Sequence, residues 1–251
     1  MNVVDFSSRN PRVSLSSSSG RTLIFGDIHG CDRALATVLE LAAPTANDHL
    51  ICVGDLIDRG PSTKQVLDRL LDIRTRLRLC IVRGNHEEMF FDALTGGPWS
   101  GAWWGHGGEE MLQSYGPGTQ LTDVPSQHIE FLRSSVDYVE LPTCFVTHGA
   151  PPPSLPIPSV HAHGLRWRRI DPHDAPHESG KTILCGHTPQ EHRHVHVHPG
   201  WVCLDTWVYD PSGCLTALEL ETGTLYQASE WEPWCDIGRI TIPTAGEKKP
   251  R

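Results

Sequence analysis

The sequence lacks a long apolar run, an excess of basic residues and an obvious export signal. No stretch approaches the roughly 20 apolar residues of a transmembrane helix, so we expect no membrane partner. The net charge of -9 argues against a surface that binds a nucleic-acid backbone, so we expect no nucleic-acid partner either. The first residues contain a serine run at 16–19 and no apolar signal-peptide core. We therefore expect a flexible N-terminal arm over residues 1–20.

The eight cysteines include no Cys-x-x-Cys pair. Several lie inside apolar runs, among them Cys52, Cys80 and Cys185. In a chain of 251 residues this placement favours small buried hydrophobic side chains over a disulfide framework. Free thiols are typical of a reducing compartment, so we predict a cytoplasmic protein.

The length suits one large core better than two independent ones. We expect a single domain over residues 21–235 and a C-terminal extension over residues 236–251. The apolar pattern loosens between about 96 and 136, which predicts an insertion that walls the site. The insertion carries three closely spaced tryptophans, Trp99, Trp103 and Trp104. They either contact a substrate or pack the insertion onto the core.

Three short apolar runs in the first third of the chain have the composition of buried strands. They cover residues 22–25, 50–53 and 79–82, and each is followed by glycine within two residues. Helical spacing of apolar residues follows the first two, over 31–41 and 61–71. This order predicts β-α-β-α-β with parallel strands, because crossover connections are right-handed.

Polar side chains follow each of these runs. The segments are Gly26-Asp27-Ile28-His29-Gly30, Gly54-Asp55-Leu56-Ile57-Asp58-Arg59-Gly60 and Gly84-Asn85-His86-Glu87. Two later apolar runs end at His148-Gly149 and Gly186-His187. Because open α/β sheets bind ligands at the carboxyl ends of their strands, we expect these side chains to form one site.

The composition of this site predicts two divalent cations. Carboxylate, imidazole and amide ligands suit Mn, Fe or Zn better than Ca or Mg. Two neighbouring cations need a shared carboxylate, and Asp55 is the natural bridge. Asp27 and His29 would serve the first ion with Asp55. The second ion would be completed by Asn85, His148 and His187.

The last part of the chain alternates between apolar and polar residues. Runs over 201–209, 214–220 and 224–228 predict antiparallel strands. Asp205 would either support the metal site or hydrogen-bond within these strands. Four histidines alternate just before them and form either an extra Zn or Ni site or an exposed edge strand: His192, His194, His196 and His198.

Five ordered motifs carry a family resemblance. The segments GDIHG, GDLIDRGP and RGNHE, then His148, then Gly186-His187-Thr188, resemble the calcineurin-like metallophosphoesterases. More narrowly, they resemble PPP-type protein phosphatases of the bacterial and lambda-phage branch, over about residues 22–220. The resemblance implies an α/β fold in which two mixed β-sheets pack as a sandwich flanked by helices. It implies the metal ligands already inferred from the strand ends: Asp27, His29, Asp55, Asn85, His148 and His187.

The resemblance also implies a mechanism. Two metal ions, Mn by expectation and Fe, Zn, Co or Ni as alternatives, would activate a bridging hydroxide for in-line attack on phosphorus. His86 would be the general acid, and Asp58 would orient its imidazole. Three arginines would hold the phosphate oxygens, with Arg166 or Arg168 as alternatives to the third: Arg59, Arg83 and Arg169.

Two turns depart from the family pattern. His148-Gly149-Ala150 replaces the usual His-Ala-Gly, which keeps the ligand but alters the turn. His106-Gly107-Gly108 stands where the bacterial branch commonly has Asn-Gly-Gly. The substrate role of this second turn is therefore open.

We expect a metal-dependent phosphomonoester hydrolase whose partner is a phosphorylated protein or a small phosphoester. A protein phosphatase acting on phosphoserine and phosphothreonine, with phosphotyrosine as a further substrate, is favoured because Asp58-Arg59 is intact. One alternative is symmetrical dinucleoside-tetraphosphate hydrolysis, since that relative shares GDIHG and GNH. The alternative from another class is a non-catalytic phosphate-binding module, which should have lost a ligand or His86. The sequence leaves the oligomeric state open.

Overall fold

The computed structural model describes residues 3–5, 12–15 and 20–243. These residues contain thirteen strands, which are, in chain order, β1 (Val3–Asp5), β2 (Arg12–Ser14), β3 (Thr22–Phe25), β4 (His49–Cys52), β5 (Arg78–Ile81), β6 (Tyr138–Glu140), β7 (Cys144–Thr147), β8 (Thr182–Cys185), β9 (His196–His198), β10 (Trp201–Cys203), β11 (Leu215–Glu219), β12 (Thr224–Ala228) and β13 (Cys235–Arg239). The same residues contain seven α-helices: α1 (Asp32–Ala42), α2 (Thr63–Arg76), α3 (Asn85–Thr95), α4 (Ser100–Trp103), α5 (Glu109–Gln113), α6 (Ser126–Arg133) and α7 (Ala162–Trp167).

Within the described residues the strands form two mixed sheets. One has seven strands in the order β1-β2-β6-β7-β8-β10-β9, and the other has six in the order β13-β12-β11-β3-β4-β5. Strands β3, β4 and β5 are parallel, as the β-α-β-α-β pattern predicts. The expected α/β fold with two mixed sheets and flanking helices is confirmed.

The central strands have buried side chains on both faces. Successive side chains point to opposite sides of a strand, so each strand packs against two layers. On β3, Leu23 and Phe25 pack with helices α1 and α2, whereas Ile24 packs in the layer between the sheets. On β8, Leu184 enters the same inter-sheet layer, and Ile183 packs on the outer face. The inter-sheet layer therefore holds the carboxyl ends of strands from both sheets close together.

Two strands lie within the predicted N-terminal arm. Strand β2 pairs in parallel with β6, and Val13 is buried there. Strand β1 pairs antiparallel with β2. The remaining positions of the arm, 1–2, 6–11 and 16–19, lie outside the described residues. The predicted C-terminal extension begins inside β13, and its residues 244–251 also lie outside the described part.

The prediction of antiparallel pairing for the last three apolar runs is partly wrong. Strands β11 and β12 do pair antiparallel. Strand β10, at the start of the first run, instead lies parallel to β8 in the other sheet. Alternation of side chains reports which faces of a strand are buried, and it carries no information about the neighbouring strand.

All eight cysteines lie in the described residues as free thiols, and six of them are buried. Their burial agrees with the role of small hydrophobic side chains. None of the helices in the described part of the chain is both long and apolar enough to cross a membrane.

The contacts of Asp48 allow its contribution to the stability of the fold to be tested. Its buried carboxylate accepts hydrogen bonds from the backbone N–H of Arg21 and of Thr45, and it pairs with the Arg21 guanidinium at 2.9 Å. Burial alone would raise the pKa of Asp48, but these contacts lower it to about 2. The ionised carboxylate therefore stabilises the folded state.

We predict that Asp48→Asn lowers the free energy of unfolding at neutral pH by about 1–2 kcal/mol. Because the folded-state pKa is depressed, the difference should shrink as the pH falls from about 4 towards 2. Chemical denaturation of both proteins across this pH range measures it. Asp72→Asn is the control, since Asp72 is exposed in its pair with Arg76 and should matter little. A difference that stays constant with pH would contradict the prediction.

Candidate active site

One pocket collects most of the residues predicted from the strand ends. Ten of the eleven predicted site residues lie in or directly behind it. Eight of these line the pocket, namely Asp27, His29, Asp55, Arg59, Asn85, His86, Arg169 and His187. The remaining two, His148 and Asp58, are buried behind the wall and contact lining residues. Arg83 does not line the pocket.

The turns that present these side chains have unusual backbone conformations. Left-handed φ angles occur at five non-glycine site residues, which are His29 (43°), Asp55 (47°), Asp58 (70°), Arg59 (65°) and His187 (65°). Each such residue costs about 1–3 kcal/mol unless its surroundings impose the conformation. Strain concentrated at the ends of buried strands is typical of a functional site.

Two glycines leave room for the carboxylates. A Cβ atom at Gly84 would lie 2.0 Å from Oδ1 of Asp55, and one at Gly186 would lie 1.9 Å from Oδ1 of Asp27. Any side chain at these positions would push a carboxylate out of the pocket. The glycine in each motif is therefore required by the close approach of an acidic side chain.

Glu87 joins the second and third strand ends. Its fully buried carboxylate accepts hydrogen bonds from the backbone N–H groups of Asp55 (3.0 Å), Leu56 (2.8 Å) and Gly84 (2.9 Å). No role in binding metal or substrate was predicted for Glu87 from the sequence. A signal was present, since Glu87 stands three residues after the N-cap of α3, the spacing of a capping box.

The first group of acceptor atoms surrounds Asn85. Its Oδ1 lies 2.9 Å from Nε2 of His148 and 2.9 Å from Nδ1 of His187. The same Nε2 of His148 lies 3.4 Å from Oδ2 of Asp55. Burial, followed by the neighbouring His148, lowers the pKa of His187 to about 4, so this ring is neutral at physiological pH.

The protons of these two imidazoles are used elsewhere. Nδ1 of His148 lies 3.0 Å from the carbonyl oxygen of Val53, and Nε2 of His187 lies 3.0 Å from that of Trp167. A carbonyl oxygen only accepts, so each ring donates an N–H there. The other ring nitrogens, Nε2 of His148 and Nδ1 of His187, both face Oδ1 of Asn85, where a bound cation would take up their lone pairs.

His29 forms a second group with Asp55 and His86, and Asp27 lines the same pocket. Nδ1 of His29 lies 3.0 Å from the carbonyl oxygen of Ile57, which leaves Nε2 free at 3.6 Å from Oδ2 of Asp55. Asp27 accepts a hydrogen bond from the backbone N–H of His187 at 3.0 Å. Asp55 thus lies between the two groups, as a shared ligand must.

The charges of the site also suit cations. Burial, together with the nearby carboxylates of Asp205 and Asp55, raises the pKa of Asp27 well above its ordinary value. Burial raises the pKa of Asp205 to about 6. Three buried carboxylates in one place are stable only when positive charge compensates them or some of them are protonated. The donor atoms and their charge therefore fit one or more divalent cations.

His86 differs from the other histidines of the pocket. Its Nδ1 lies 2.7 Å from Oδ2 of Asp58, and its Nε2 lies 3.9 Å from Oδ2 of Asp55. Burial by itself lowers the pKa of His86, but the two carboxylates outweigh it and raise the pKa. His86 is also near enough to His29 and Asp55 to serve as a ligand. An imidazole whose pKa is raised is, however, better suited to donate a proton than to bind a metal.

The tryptophans of the insertion have different environments. Trp103 is fully buried against Phe90, and its Nε1 donates to both carboxylate oxygens of Asp58 at 3.1 Å. Trp99 and Trp104 are about half exposed. The packing alternative therefore holds for Trp103, which also supports the partner of His86.

The three arginines near α7 are separated by their partners. Arg166 is buried in ion pairs with Asp137 and Glu88. Arg168 pairs with Asp174. Arg169 lines the pocket and is the one of the three that can reach a ligand there.

Arg83 is engaged away from the pocket. Its Nε donates to Oγ of Ser135 at 2.9 Å, and its Nη2 donates to the carbonyl oxygen of Arg133 at 3.0 Å. Its guanidinium also lies 5.2 Å from the ring centroid of Phe91. These contacts would have to break before Arg83 could bind a phosphate in the pocket.

Asp205 lies in the loop between β10 and β11. Its Oδ1 accepts a hydrogen bond from the backbone N–H of Trp207 at 3.1 Å, and the residue lines the pocket. The alternating histidines do not converge. His196 and His198 approach each other at 2.9 Å, whereas His192 lies in an exposed turn. Among the described residues, no group of three metal-binding side chains is found around them.

Two named proteins match part of this chain in sequence. A serine/threonine-protein phosphatase 1 of Salmonella typhimurium is 40% identical over 87 residues, and the match covers 30% of this chain and 38% of that protein. The symmetrical bis(5'-nucleosyl)-tetraphosphatase of Baumannia cicadellinicola subsp. Homalodisca coagulata is 41% identical over 76 residues, covering 30% of this chain and 26% of that protein. This chain therefore matches less than half the length of either relative.

A solved structure and a family model each match a larger part of the chain. A crystal structure described as that of a candidate diadenosine tetraphosphatase has a TM-score of 0.65 and 21% identity, covering 87% of this chain and 97% of the other. The family model for calcineurin-like phosphoesterases matches residues 20–216. Because this match covers most of the chain and every strand end described above, the chain belongs to the calcineurin-like phosphoesterase family.

Proposed function

We propose that this phosphoesterase is a dinuclear, metal-dependent protein phosphatase acting on phosphoserine and phosphothreonine. The observation that carries the proposal is a division of labour within one pocket. Ring nitrogens of His29, His148 and His187 converge beside Asp55, whereas Nδ1 of His86 lies 2.7 Å from Oδ2 of Asp58. Metal binding and proton donation are thus assigned to different side chains a few ångströms apart.

Six residues would hold the cations, with Asp55 shared between them: Asp27, His29, Asp55, Asn85, His148 and His187. Bound divalent cations would lower the pKa of water and neutralise charge on the phosphate. Mn is the expected metal, with Fe, Zn, Co or Ni as alternatives, because the ligands mix oxygen and imidazole nitrogen.

His86 would protonate the leaving oxygen of the ester. Its Nδ1–H donates to Asp58, which leaves Nε2–H available on the pocket side. Asp58 is fully buried and also accepts from Trp103, so its position is fixed on both sides. This support orients the acid and stabilises its protonated form.

Arg59 and Arg169 would bind the phosphate oxygens, since both line the pocket. Their charge would stabilise the additional negative charge of the transition state. Arg83 would join them only after leaving Ser135 and Arg133. We therefore assign the first two arginines the larger share of phosphate binding.

Symmetrical dinucleoside-tetraphosphate hydrolysis is the second candidate. Several curated relatives have this activity in their names, and their matches are about as good as that of the phosphatase. In addition, Trp167 lines the pocket and packs near Trp99 and His163, so aromatic surfaces lie beside the site. A nucleobase could stack on such surfaces. The phosphatase is preferred because Asp58 and Arg59 are both intact.

The role of His86 as proton donor can be tested by substitution. We expect His86→Asn to lower turnover of an aryl phosphate by about 100- to 10,000-fold, because the leaving oxygen loses its proton donor. Metal content, measured by elemental analysis, should remain at the wild-type value. Loss of metal in this variant would show that His86 is a ligand instead.

The second prediction concerns metal stoichiometry. His148→Ala should reduce the bound metal from two ions to one per chain, because His148 belongs to the group around Asn85. His196→Ala is the matched control, since His196 lies in β9 outside the pocket, and it should retain both ions. An unchanged stoichiometry in His148→Ala would contradict the ligand role of His148, and a single ion in the wild type would contradict the dinuclear assignment.

The third prediction concerns the substrate. Protein stripped of metal and reloaded with Mn should hydrolyse phosphoserine and phosphothreonine peptides with a higher kcat/KM than diadenosine tetraphosphate. A phosphotyrosine peptide belongs in the same series. A preference for the dinucleotide would favour the second candidate. Absence of hydrolysis with any of Mn, Co, Ni and Zn would contradict the phosphoesterase activity itself.

A further inference from the structure

The guanidinium of Arg59 is held without an acidic partner. Its Nε is buried and has no hydrogen-bond partner. In the described part of the chain, no ion pair or hydrogen bond from its side chain is found, in contrast to Arg166 and Arg168. Its guanidinium carbon instead lies 4.6 Å from the ring centroid of Tyr209.

The backbone of Arg59 is supported from the insertion. Arg59 has a left-handed φ of 65°, and its N–H points to the carbonyl oxygen of Gly107 at 3.4 Å. A Cβ atom at Gly107 would lie 2.3 Å from the backbone nitrogen of Arg59, and Gly107 itself has a φ of 105°. The turn that departs from the family pattern thus packs directly on the backbone of this arginine.

Tyr209 is itself fixed by the site. It lines the pocket, and its ring meets His29 edge to face with centroids 4.9 Å apart. It follows Asp205 in the loop that leads from β10 to β11. The ring is therefore placed by one of the residues that would hold metal, and it places Arg59 in turn.

We propose that Tyr209 is a positioning residue for Arg59, which it holds over the pocket by a cation–π contact. This inference rests on the phosphate-binding role proposed for Arg59. A carboxylate partner would neutralise the guanidinium and occupy two of its N–H donors. The face of an aromatic ring attracts the cation and occupies none of them. Arg59 therefore keeps its charge and its donors for the phosphate.

Two other roles of Tyr209 give different results. Its hydroxyl group could contact the substrate directly, or its ring could serve only to hold His29. Tyr209→Phe removes the hydroxyl and keeps the ring face, whereas Tyr209→Leu removes both. Arg59→Ala removes the group that Tyr209 is proposed to position. Metal content reports on His29 separately.

The experiment measures binding of inorganic phosphate to the Mn-loaded full chain by calorimetry, together with kcat and KM for an aryl phosphate. Tyr209→Leu should weaken phosphate binding by about 3- to 20-fold, the range of a partly buried cation–π contact. Tyr209→Phe should remain within about twofold of wild type. In the Arg59→Ala background, Tyr209→Leu should cause no further loss, because the two residues act as one unit.

Several outcomes would overturn the inference. A Phe variant as weak as the Leu variant would assign the role to the hydroxyl. Additive losses in the double variant would mean that Tyr209 acts without Arg59. Loss of metal in Tyr209→Leu would reduce its role to support of His29. If that variant does not fold, Tyr209→Met repeats the test with a flexible side chain that lacks the ring face.

The phosphate-binding measurement separates this inference from the proposed function. A wild-type protein that binds phosphate but hydrolyses no ester would contradict the enzyme activity, and the comparison of Tyr209 variants would still stand. A wild-type protein that does not bind phosphate would contradict the role of Arg59 and with it the inference.

Discussion

Asp55 carries its charge inside the protein, and much of the surrounding structure serves to keep it there. Burial would raise the pKa of this carboxyl group, yet His148 and His86 hold it well below its ordinary value. Glu87 holds the turn in place by accepting a hydrogen bond from the backbone N–H of Asp55. Gly84 leaves space for the Asp55 carboxylate. A buried charge is stable only when such partners are in place. The strained turn at Asp55 persists because these contacts impose it.

The same charge divides the histidines into two kinds. His29, His148 and His187 each have one ring nitrogen next to a backbone carbonyl, which directs the other ring nitrogen toward Asp55 and its neighbours. His86 faces a second buried carboxylate, Asp58, and is thereby favoured in its protonated form. In the proposed mechanism, a ligand and an acid would differ in the partner of the far ring nitrogen, which is a carbonyl for the ligands and a carboxylate for the acid.

The arginines follow a related rule. Arg166 and Arg168 are neutralised by carboxylates and act within the framework. Arg59, over Tyr209, keeps an unpaired guanidinium in the pocket. A cation is available to an anionic ligand only when the protein has not already paired it, and this condition separates Arg59 from Arg166 and Arg168.

From the sequence alone one could predict that the chain begins with parallel β-α-β-α-β, where its strands end, and which acidic, imidazole and amide groups stand at those ends. Strand periodicity and glycine positions are local properties, so they can be read without a partner strand. The sequence could not determine that β10 joins the sheet of β8, that Arg83 is held by Ser135, or that Glu87 links two turns. It also left Arg166, Arg168 and Arg169 as alternatives, and only their ion pairs in the folded chain separated them. These features depend on contacts between residues far apart in the chain, which come together only when the strands pair and the elements pack in the folded protein.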